Sequence, residues 1–370
     1  MIQVIEIVNI AHIGVMKKKS KQRIKRVAVI TTVLLIVGLM VGGALLGTLG
    51  SMPTQKVKAM TSARAMITLE ASTGRVLFSH NEHERLAVAS TTKIVTAITV
   101  IENVDNLDQE VRVSDKAIGI EGTSIYIQKG ETLSVRELLL GLMLRSGNDC
   151  ATALAIHVSG SVEKFAELMN KTAWDAGARN SSFKNPHGLD EEGHLTTAYD
   201  LGMISAYSMQ NETFREIVAT KDTRIEGEIG TETNPRSIAN KNRLLRSNSD
   251  VVGIKTGFTS KAGRCYVGAM DDKGMTVICV VLNCGPMFEE AQSLMSRALK
   301  EFYMFKVLDH TKVQTPTHLS PSGVSQAMIE KDVHYPIRPG EENNFEITIN
   351  EHHVVVHFDK ERIDKAKRCA

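Results

Sequence analysis

A charge-free apolar segment near the N-terminus constrains the fold of this chain most strongly. It runs for 24 residues, 27–50, behind seven basic residues within 17–26. As a helix it would measure about 36 Å, more than the ~30 Å hydrocarbon core of a bilayer. Basic residues keep their flank in the cytoplasm. We therefore predict a basic cytoplasmic N-terminus (1–26) and a transmembrane or signal-anchor helix (27–50). Everything after it lies on the extracytoplasmic face of the cell membrane, or is secreted if the segment is cleaved.

The composition limits the function classes. Of the 370 residues, 42% are hydrophobic and 23% are charged, which are globular values. A formal charge of +2, from 44 basic and 42 acidic residues, is too balanced for a protein that coats nucleic acid. The five cysteines are odd in number and widely spaced, with no CxxC pair. We therefore expect no nucleic-acid partner, no disulfide scaffold and no zinc-ribbon site.

The order of the predicted elements indicates one α+β domain. A linker (51–64) precedes strand signals, a long helical middle follows, and strand signals then return. This order favours an antiparallel sheet with an inserted helical lobe over 65–305, followed by a small C-terminal β region over 306–370. The predicted elements are a hairpin of Met66–Leu69 and Arg75–Phe78, helices over 90–104, 133–144, 151–158 and 162–176, strands over 251–256, 264–270 and 275–283, a closing helix over 293–302, and C-terminal strands over 345–349 and 354–358.

The first chemical motif is Ser90-Thr91-Thr92-Lys93, at a predicted helix start. Residues i and i+3 share a helix face, so the Ser90 hydroxyl and the Lys93 amine can meet. A serine needs a base to become a nucleophile, and a lysine is a base only when neutral. Burial and a second cation both lower a lysine pKa. The motif alone is weak, because most such serines are helix caps beside a solvated lysine.

The second motif is Ser146-Gly147-Asn148, at a predicted break between two helices. The Ser146 hydroxyl is suited to pass a proton between Lys93 and a leaving amine. The Asn148 amide can orient Lys93 and bond a substrate carbonyl. By itself this tripeptide would be an ordinary helix-breaking turn.

The third motif is Lys255-Thr256-Gly257, at a predicted strand. Lys255 would supply the second cation that keeps Lys93 neutral, and it would attract a substrate carboxylate that Thr256 could bond. Gly257 would let a ligand lie against the strand edge as an added strand. Alone this tripeptide indicates no function; it gains significance only together with the other two motifs.

Together the three motifs have the order and context of a known signature. The chain resembles the low-molecular-mass penicillin-binding proteins, which are serine-type D-alanyl-D-alanine carboxypeptidases, over roughly 65–305. Longer strings carry the same resemblance: Leu69 to Gly74, Ala89 to Ala97, Asn185 to Leu189, His194 to Leu201 and Gly253 to Cys265.

The resemblance implies a penicillin-binding/β-lactamase-like fold and a two-step reaction on peptidoglycan stem peptides. Ser90, activated by Lys93, would attack the carbonyl between two D-alanines and release the terminal one, and water would then hydrolyse the acyl-enzyme. The backbone N–H groups of Ser90 and Phe258 would form the oxyanion hole. β-Lactams would acylate the same serine. The resemblance implies no metal and no cofactor, and anchoring would fall to 27–50.

Two other functions remain open from the sequence. A class A β-lactamase would use a deacylating glutamate, for which Glu167, Glu191 and Glu192 are the candidates. A non-catalytic homologue would keep the fold only to bind wall peptides. A zinc peptidase is disfavoured because no His-Glu-x-x-His occurs.

Overall fold

The computed structural model describes residues 3–7, 61–312, 317–320, 323–326, 331–349 and 354–358. The predicted span 27–50 and most of the predicted linker lie outside these residues, so both stay predictions. No helix within the described ranges has the length and apolarity needed to cross a bilayer. Of the predicted cytoplasmic segment only 3–7 is described; it is an edge strand of the three-stranded C-terminal sheet and pairs antiparallel with 354–358. The sequence did not predict this strand.

The described residues form the following strands and helices. The strands are β1 Gln3–Ile7, β2 Ala65–Glu70, β3 Val76–His80, β4 Glu110–Arg112, β5 Thr132–Ser134, β6 Asp222–Ile225, β7 Glu228–Ile229, β8 Glu232–Thr233, β9 Arg236–Ala239, β10 Val251–Thr259, β11 Gly263–Asp272, β12 Met275–Leu282, β13 Tyr303–Leu308, β14 Thr317–Ser320, β15 Gly323–Gln326, β16 Val333–Ile337, β17 Phe345–Ile349 and β18 Val354–Phe358. The helices are α1 Lys93–Glu102, α2 Val135–Leu140, α3 Asn148–Ser159, α4 Val162–Asp175, α5 Ala198–Ser208, α6 Glu212–Ala219, α7 Leu244–Ser247 and α8 Met287–Glu301, with 3₁₀ turns at Ala89–Thr92, Asp115–Ala117 and His310–Lys312 and a π-helical turn at Gly141–Arg145.

A five-stranded antiparallel sheet forms the centre of the domain, in the order β10-β11-β12-β2-β3. Both of its faces are covered, which explains why β12 is apolar almost throughout. Its Ile278 and Val280 pack into the core on the side of the helical lobe. Val277 and Val281 pack on the other side, with Ala291 and the rest of the apolar face of α8. The predicted α+β sheet with flanking helices is confirmed.

The helical lobe is inserted between β3 and β10 and differs locally from expectation. The predicted helix over 133–144 is divided into the end of β5, then α2, then the π-helical turn. The closing helix begins at Met287, six residues earlier than predicted. The short strands β4 to β9 were not predicted, because segments of two to four residues show too little alternation.

A buried arginine is one of the residues that join the C-terminal β region to the rest of the domain. Arg75, in the turn between β2 and β3, is 6% exposed. Its Nη2 donates to Glu341 Oε2 at 2.9 Å and its Nη1 donates to the carbonyl of Pro336. The guanidinium also lies over the rings of Phe302 and Tyr335, at 5.3 and 5.2 Å from their centroids. Both the paired charge and the ring faces therefore hold this region against the domain.

Candidate active site

Three parts of the fold converge on the predicted nucleophile. The 3₁₀ turn Ala89–Thr92 leads into α1, so that Ser90 lies one turn before the helix and Lys93 is its first residue. The turn at Ser146 and Gly147 leads into α3, which begins at Asn148. The edge strand β10 contacts the same 3₁₀ turn. The motifs that are far apart in sequence are thus brought together.

Lys93 makes three short contacts through its Nζ atom. The Nζ lies 3.0 Å from Ser90 Oγ, and it donates to Asn148 Oδ1 and to the main-chain oxygen of His187, both at 2.7 Å. Lys93 is fully buried, whereas Ser90 is partly exposed. A ligand in solvent can therefore reach the serine, but water has little access to the lysine.

The electrostatic surroundings of Lys93 favour its neutral form. Burial lowers the pKa of Lys93 well below its usual range, and the Lys255 cation lowers it further. Lys241 acts in the same direction, whereas Cys150 and Asp149 oppose the shift.

A second buried lysine faces the first. Burial, and then the charge of Lys241, lower the pKa of Lys255 to about 7. Its Nζ donates to the main-chain oxygen of Thr256 at 3.1 Å. The Lys241 Nζ lies 3.3 Å from Thr123 Oγ1, and partial burial of the amine lowers the pKa of Lys241. Two further lysines, Lys255 and Lys241, therefore act electrostatically on Lys93.

Ser146 occupies an unusual backbone position. It ends the π-helical turn with φ 68° and ψ 35°, a left-handed conformation that is uncommon outside glycine. Single π-helical turns occur frequently at functional sites. The Ser146 Oγ is buried and has no hydrogen-bond partner among the described residues. Its hydroxyl is free to take up a partner from a bound ligand.

The edge strand β10 lies directly against the serine turn at Gly257. A Cβ atom at this position would lie 3.0 Å from the oxygen of Val88 and 3.1 Å from the backbone nitrogen of Ser90. Any larger residue would push the strand away from the turn. The next residue, Phe258, is 66% exposed. The outer edge of β10 has no strand beside it in the described part of the chain.

The segment around His187 presses on the serine turn from another side. Gly188, with φ +85°, lies so close that a Cβ atom there would be 1.9 Å from the oxygen of Ala89. Ala89 itself has φ 50°. The contact between Gly188 and Ala89 therefore fixes two parts of the site: the His187 carbonyl that binds Lys93 and the turn that carries Ser90.

Some residues of the site were not found from the sequence. The main-chain oxygen of His187 contacts Lys93, and a carbonyl leaves no residue-type signal. Lys241 lies in a polar run that resembles a solvated loop. The predicted glutamates lie elsewhere: Glu167 is on the exposed face of α4, and Glu191 accepts from Asn185 at 2.9 Å. Cys150 is a buried free thiol.

Potential metal ligands in the described part of the chain cluster away from the three motifs. Asp309, His310 and Asp332 lie together in the C-terminal β region. The Asp332 carboxylate is already bound to Lys306 Nζ at 2.5 Å and to His310 Nδ1 at 2.7 Å. This ammonium competes with any cation, so the cluster supports no metal assignment.

Comparison with known proteins gives one consistent result. A family model described as D-alanyl-D-alanine carboxypeptidase matches residues 52–285. The chain is 35% identical over 262 residues to the D-alanyl-D-alanine carboxypeptidase DacF of Bacillus subtilis, a match that covers 69% of this chain and 64% of that protein. It is 33% identical to DacC of Escherichia coli, over 65% of this chain and 62% of DacC. The match thus spans less than two thirds of these two relatives.

Solved structures share the fold. The Streptomyces K15 DD-transpeptidase superposes with a TM-score of 0.60 at 30% identity, covering 65% of this chain and 96% of that one. The carboxypeptidase DacD of Francisella tularensis gives a TM-score of 0.67 over 84% of this chain and 96% of that one. At 21% identity, the second likeness concerns the fold alone.

Proposed function

We infer the function from two premises together: the chain belongs to the D-alanyl-D-alanine carboxypeptidase family, peptidase family S11, and its serine motif has the geometry described above. The proposed activity is removal of the terminal D-alanine from peptidoglycan stem peptides through a Ser90 acyl-enzyme. β-Lactams would acylate the same serine. The reaction would take place on the extracytoplasmic side, with 27–50 as the membrane anchor.

The contacts of Lys93 support its proposed role as the base. A neutral amine has two N–H groups and one lone pair. Asn148 and His187 supply two acceptors at 2.7 Å, which take both N–H groups. The lone pair then remains for the Ser90 hydroxyl at 3.0 Å. Lys93 is thus arranged to remove the serine proton as the hydroxyl attacks.

The other motif residues have roles around the substrate. An extended peptide would pair with the outer edge of β10 as an added strand. Its terminal carboxylate would meet the Lys255 cation and the Thr256 hydroxyl. The backbone N–H groups of Ser90 and Phe258 would bind the developing oxyanion. The unpartnered Ser146 hydroxyl would relay the proton to the leaving D-alanine, and water would then release the shortened peptide.

The contact between Ser90 Oγ and the fully buried Lys93, whose pKa burial lowers well below its usual range, carries this proposal. The test is incubation of the protein with a stem pentapeptide, followed by mass spectrometry. We expect loss of one alanine residue, which a β-lactam pretreatment blocks. The Ser90→Ala variant is the control for contaminating peptidases. An unchanged pentapeptide, with no covalent penicillin on the wild type, would favour the non-catalytic wall-peptide-binding alternative.

The same experiment separates the remaining alternatives. Rapid release of hydrolysed penicillin, with no action on the pentapeptide, would indicate a β-lactamase. No hydrogen bond in the described part of the chain links Glu167, Glu191 or Glu192 to Ser90 or Lys93, so no observation favours that outcome. An added amine that appears in the product would show transpeptidation.

The fall of kcat/KM at high pH, the basic limb of the pH profile, should reflect loss of the Lys255 proton. Its pKa of about 7 means that it loses its proton as the pH rises through that value. The attraction for the substrate carboxylate is then lost, so kcat/KM should fall with a midpoint near pH 7. In Lys255→Arg the guanidinium stays charged at all accessible pH values, and the basic limb should move up by at least about 2 pH units. Pentapeptide kinetics across the pH range measure the limb.

An exposed lysine provides the control for this prediction. Lys300→Arg, on the outer face of α8, makes the same chemical change far from the motifs and should leave the limb unmoved. If the basic limb of Lys255→Arg coincides with that of Lys300→Arg, Lys255 does not supply the titrating charge.

A further inference from the structure

A loop without helix or strand forms one wall of the site. We call residues 121–127 the active-site loop; no helix or strand includes them. The loop binds Asn148 twice: the Asn148 backbone N–H donates to the Thr123 oxygen at 2.7 Å, and its Nδ2 donates to the Glu121 oxygen at 2.5 Å. The Asn148 amide is therefore oriented by the loop on one side and by Lys93 on the other.

Charged side chains of opposite sign satisfy the backbone of this loop. Asp149 accepts from the N–H groups of Ile125 and Ile127, at 3.1 and 3.2 Å. Arg236 donates to the oxygens of Ile125 and Tyr126, at 3.0 and 3.1 Å. Buried backbone groups need such partners wherever a segment lacks a sheet or a helix of its own. The carboxylate thus binds two backbone donors of the loop, and the guanidinium binds two of its backbone acceptors.

Arg236 is in turn held by a buried carboxylate. Its two terminal nitrogens donate to the two oxygens of Glu131 at 2.6 and 2.8 Å. The Glu131 side chain is 0% exposed and that of Arg236 is 13% exposed. With one further contact to the Asn234 oxygen at 3.0 Å, all five N–H donors of the guanidinium are used. A lysine, with three donors, cannot replace this set.

We propose that the Arg236–Glu131 pair positions the Asn148 amide by fixing the active-site loop to which this amide is bonded. Neither residue contacts Ser90 or Lys93 through a hydrogen bond in the described part of the chain. Both are positioning residues, and their effect on catalysis passes through Asn148. The inference rests on the proposed function for its catalytic consequence, but the ordering of the loop is independent of it.

The exposed Tyr126 is consistent with a loop that is held in place. Its φ of 61° is a left-handed conformation, which is unfavourable for a tyrosine and persists only where the surroundings impose it. The Tyr126 ring is 81% exposed, so the ring itself supplies no packing. The hydrogen bonds of the neighbouring backbone, from Tyr126 N to Ser124 Oγ at 2.8 Å and from Arg236 to the Tyr126 oxygen, impose it instead.

The test compares Arg236→Lys and Glu131→Gln with Arg246→Lys in the full chain. Arg246 is a matched control because it also binds a carboxylate with both terminal nitrogens, at 2.6 and 2.9 Å to Asp222, and donates to the Lys221 oxygen at 3.0 Å. This pair is exposed and has no hydrogen bond to the active-site loop. Glu131→Gln keeps the volume of the side chain, so the proposal remains testable if the arginine variant is poorly folded.

The first measurement is amide hydrogen exchange of 121–131, which does not require activity. We expect exchange there to accelerate at least about tenfold in both variants, and not in Arg246→Lys. The second measurement is acylation by a fluorescent penicillin at neutral pH. A displaced Asn148 should slow acylation by about 10- to 100-fold, because small displacements near reacting atoms are costly.

The third measurement is the midpoint of the acid limb, the pH at which the acylation rate reaches half of its maximum as the pH rises. A loosened loop admits water to Lys93 and relieves the burial that disfavours its charged form, so the acid limb should move to higher pH. The groups that contact Lys93 are Ser90, Asn148 and the oxygen of His187, and the titratable groups whose charge interacts with it are Asp149, Cys150, Lys241, Lys255 and the His187 imidazole. A variant that is merely less stable would be acylated more slowly by the penicillin, but the midpoint of its acid limb would stay at the wild-type pH.

Three results would overturn the proposal: exchange in 121–131 equal to that of Arg246→Lys, faster exchange with wild-type acylation, or slower acylation with an unmoved acid limb. A wild-type protein that no penicillin labels would instead refute the proposed function, and the exchange measurement would still decide whether the pair fixes the loop.

Discussion

Lys93→Arg is expected to slow acylation by penicillin by at least about 10³-fold, the upper range for loss of a general base. The change keeps a long cationic side chain at the same place. A guanidinium does not release its proton at any pH at which the protein is folded. Ser90 would therefore lose its base, although a side chain of similar length would still lie beside it at position 93. The rate constant of labelling by a fluorescent penicillin, measured from about pH 6 to 10, checks this.

The matched control is Lys255→Arg, the same substitution at the other buried lysine. In our mechanism Lys255 acts through its positive charge, so below about pH 7, where Lys255 of the wild type is itself charged, this variant should be acylated at a rate within about tenfold of the wild type. Thermal unfolding of both variants identifies any loss of fold. A well-folded Lys93→Arg that is acylated as fast as Lys255→Arg would show that Lys93 is not the base.

The sequence predicted the parts of the fold that have strong periodicity. The β2–β3 hairpin and the strands β10, β11 and β12 lie where apolar runs and turn residues placed them. In each case local propensity and long-range packing favour the same structure, because both faces of the sheet are covered. The predicted fold class followed from their order along the chain.

The helical lobe was predicted less well because packing overrides local pattern there. The apolar pattern of 133–144 continues through Leu144, yet the helix changes to a π-helical turn at Gly141. A Cβ atom at Gly141 would lie 2.7 Å from Cys150 Sγ, on the next helix. This close approach is a tertiary contact, and nothing within 133–144 indicates it. The turn places Ser146 in its left-handed conformation.

The candidate site shows the same division. Ser90, Lys93, Asn148 and Lys255 could be named from residue type and spacing, because the proposed chemistry needs those side chains. Partners that act through main-chain oxygens could not, since any residue supplies a carbonyl. The active-site loop belongs to this second class: its role depends on Asp149 and Arg236, which are 87 positions apart in sequence and meet only in the fold.

Gly188→Ala should disrupt the site without changing any group that takes part in the chemistry. A Cβ atom at Gly188 would lie 1.9 Å from the Ala89 oxygen, and real Cβ contacts are essentially never under 3.0 Å. The two backbones must therefore separate by about 1 Å, a displacement that can cost 10²-fold in rate. Either the turn carrying Ser90 or the His187 oxygen moves away from Lys93. We expect acylation by a fluorescent penicillin to slow by at least about 100-fold.

Gly193→Ala separates this contact from backbone strain. Gly193 belongs to the same segment and has φ +79°, close to the +85° of Gly188, so the left-handed backbone strain of an alanine costs about 1–2 kcal/mol of stability at either position. A Cβ atom at Gly193 would meet only the flexible end of Lys184, at 3.3 Å. Acylation of Gly193→Ala should therefore stay within about twofold of the wild type. Equal acylation rates in the two variants, each still folded in thermal unfolding, would show that the contact between Gly188 and Ala89 does not set the geometry of the serine. A slow Gly188→Ala beside a normal Gly193→Ala would assign that geometry to the contact itself, because left-handed strain is common to both.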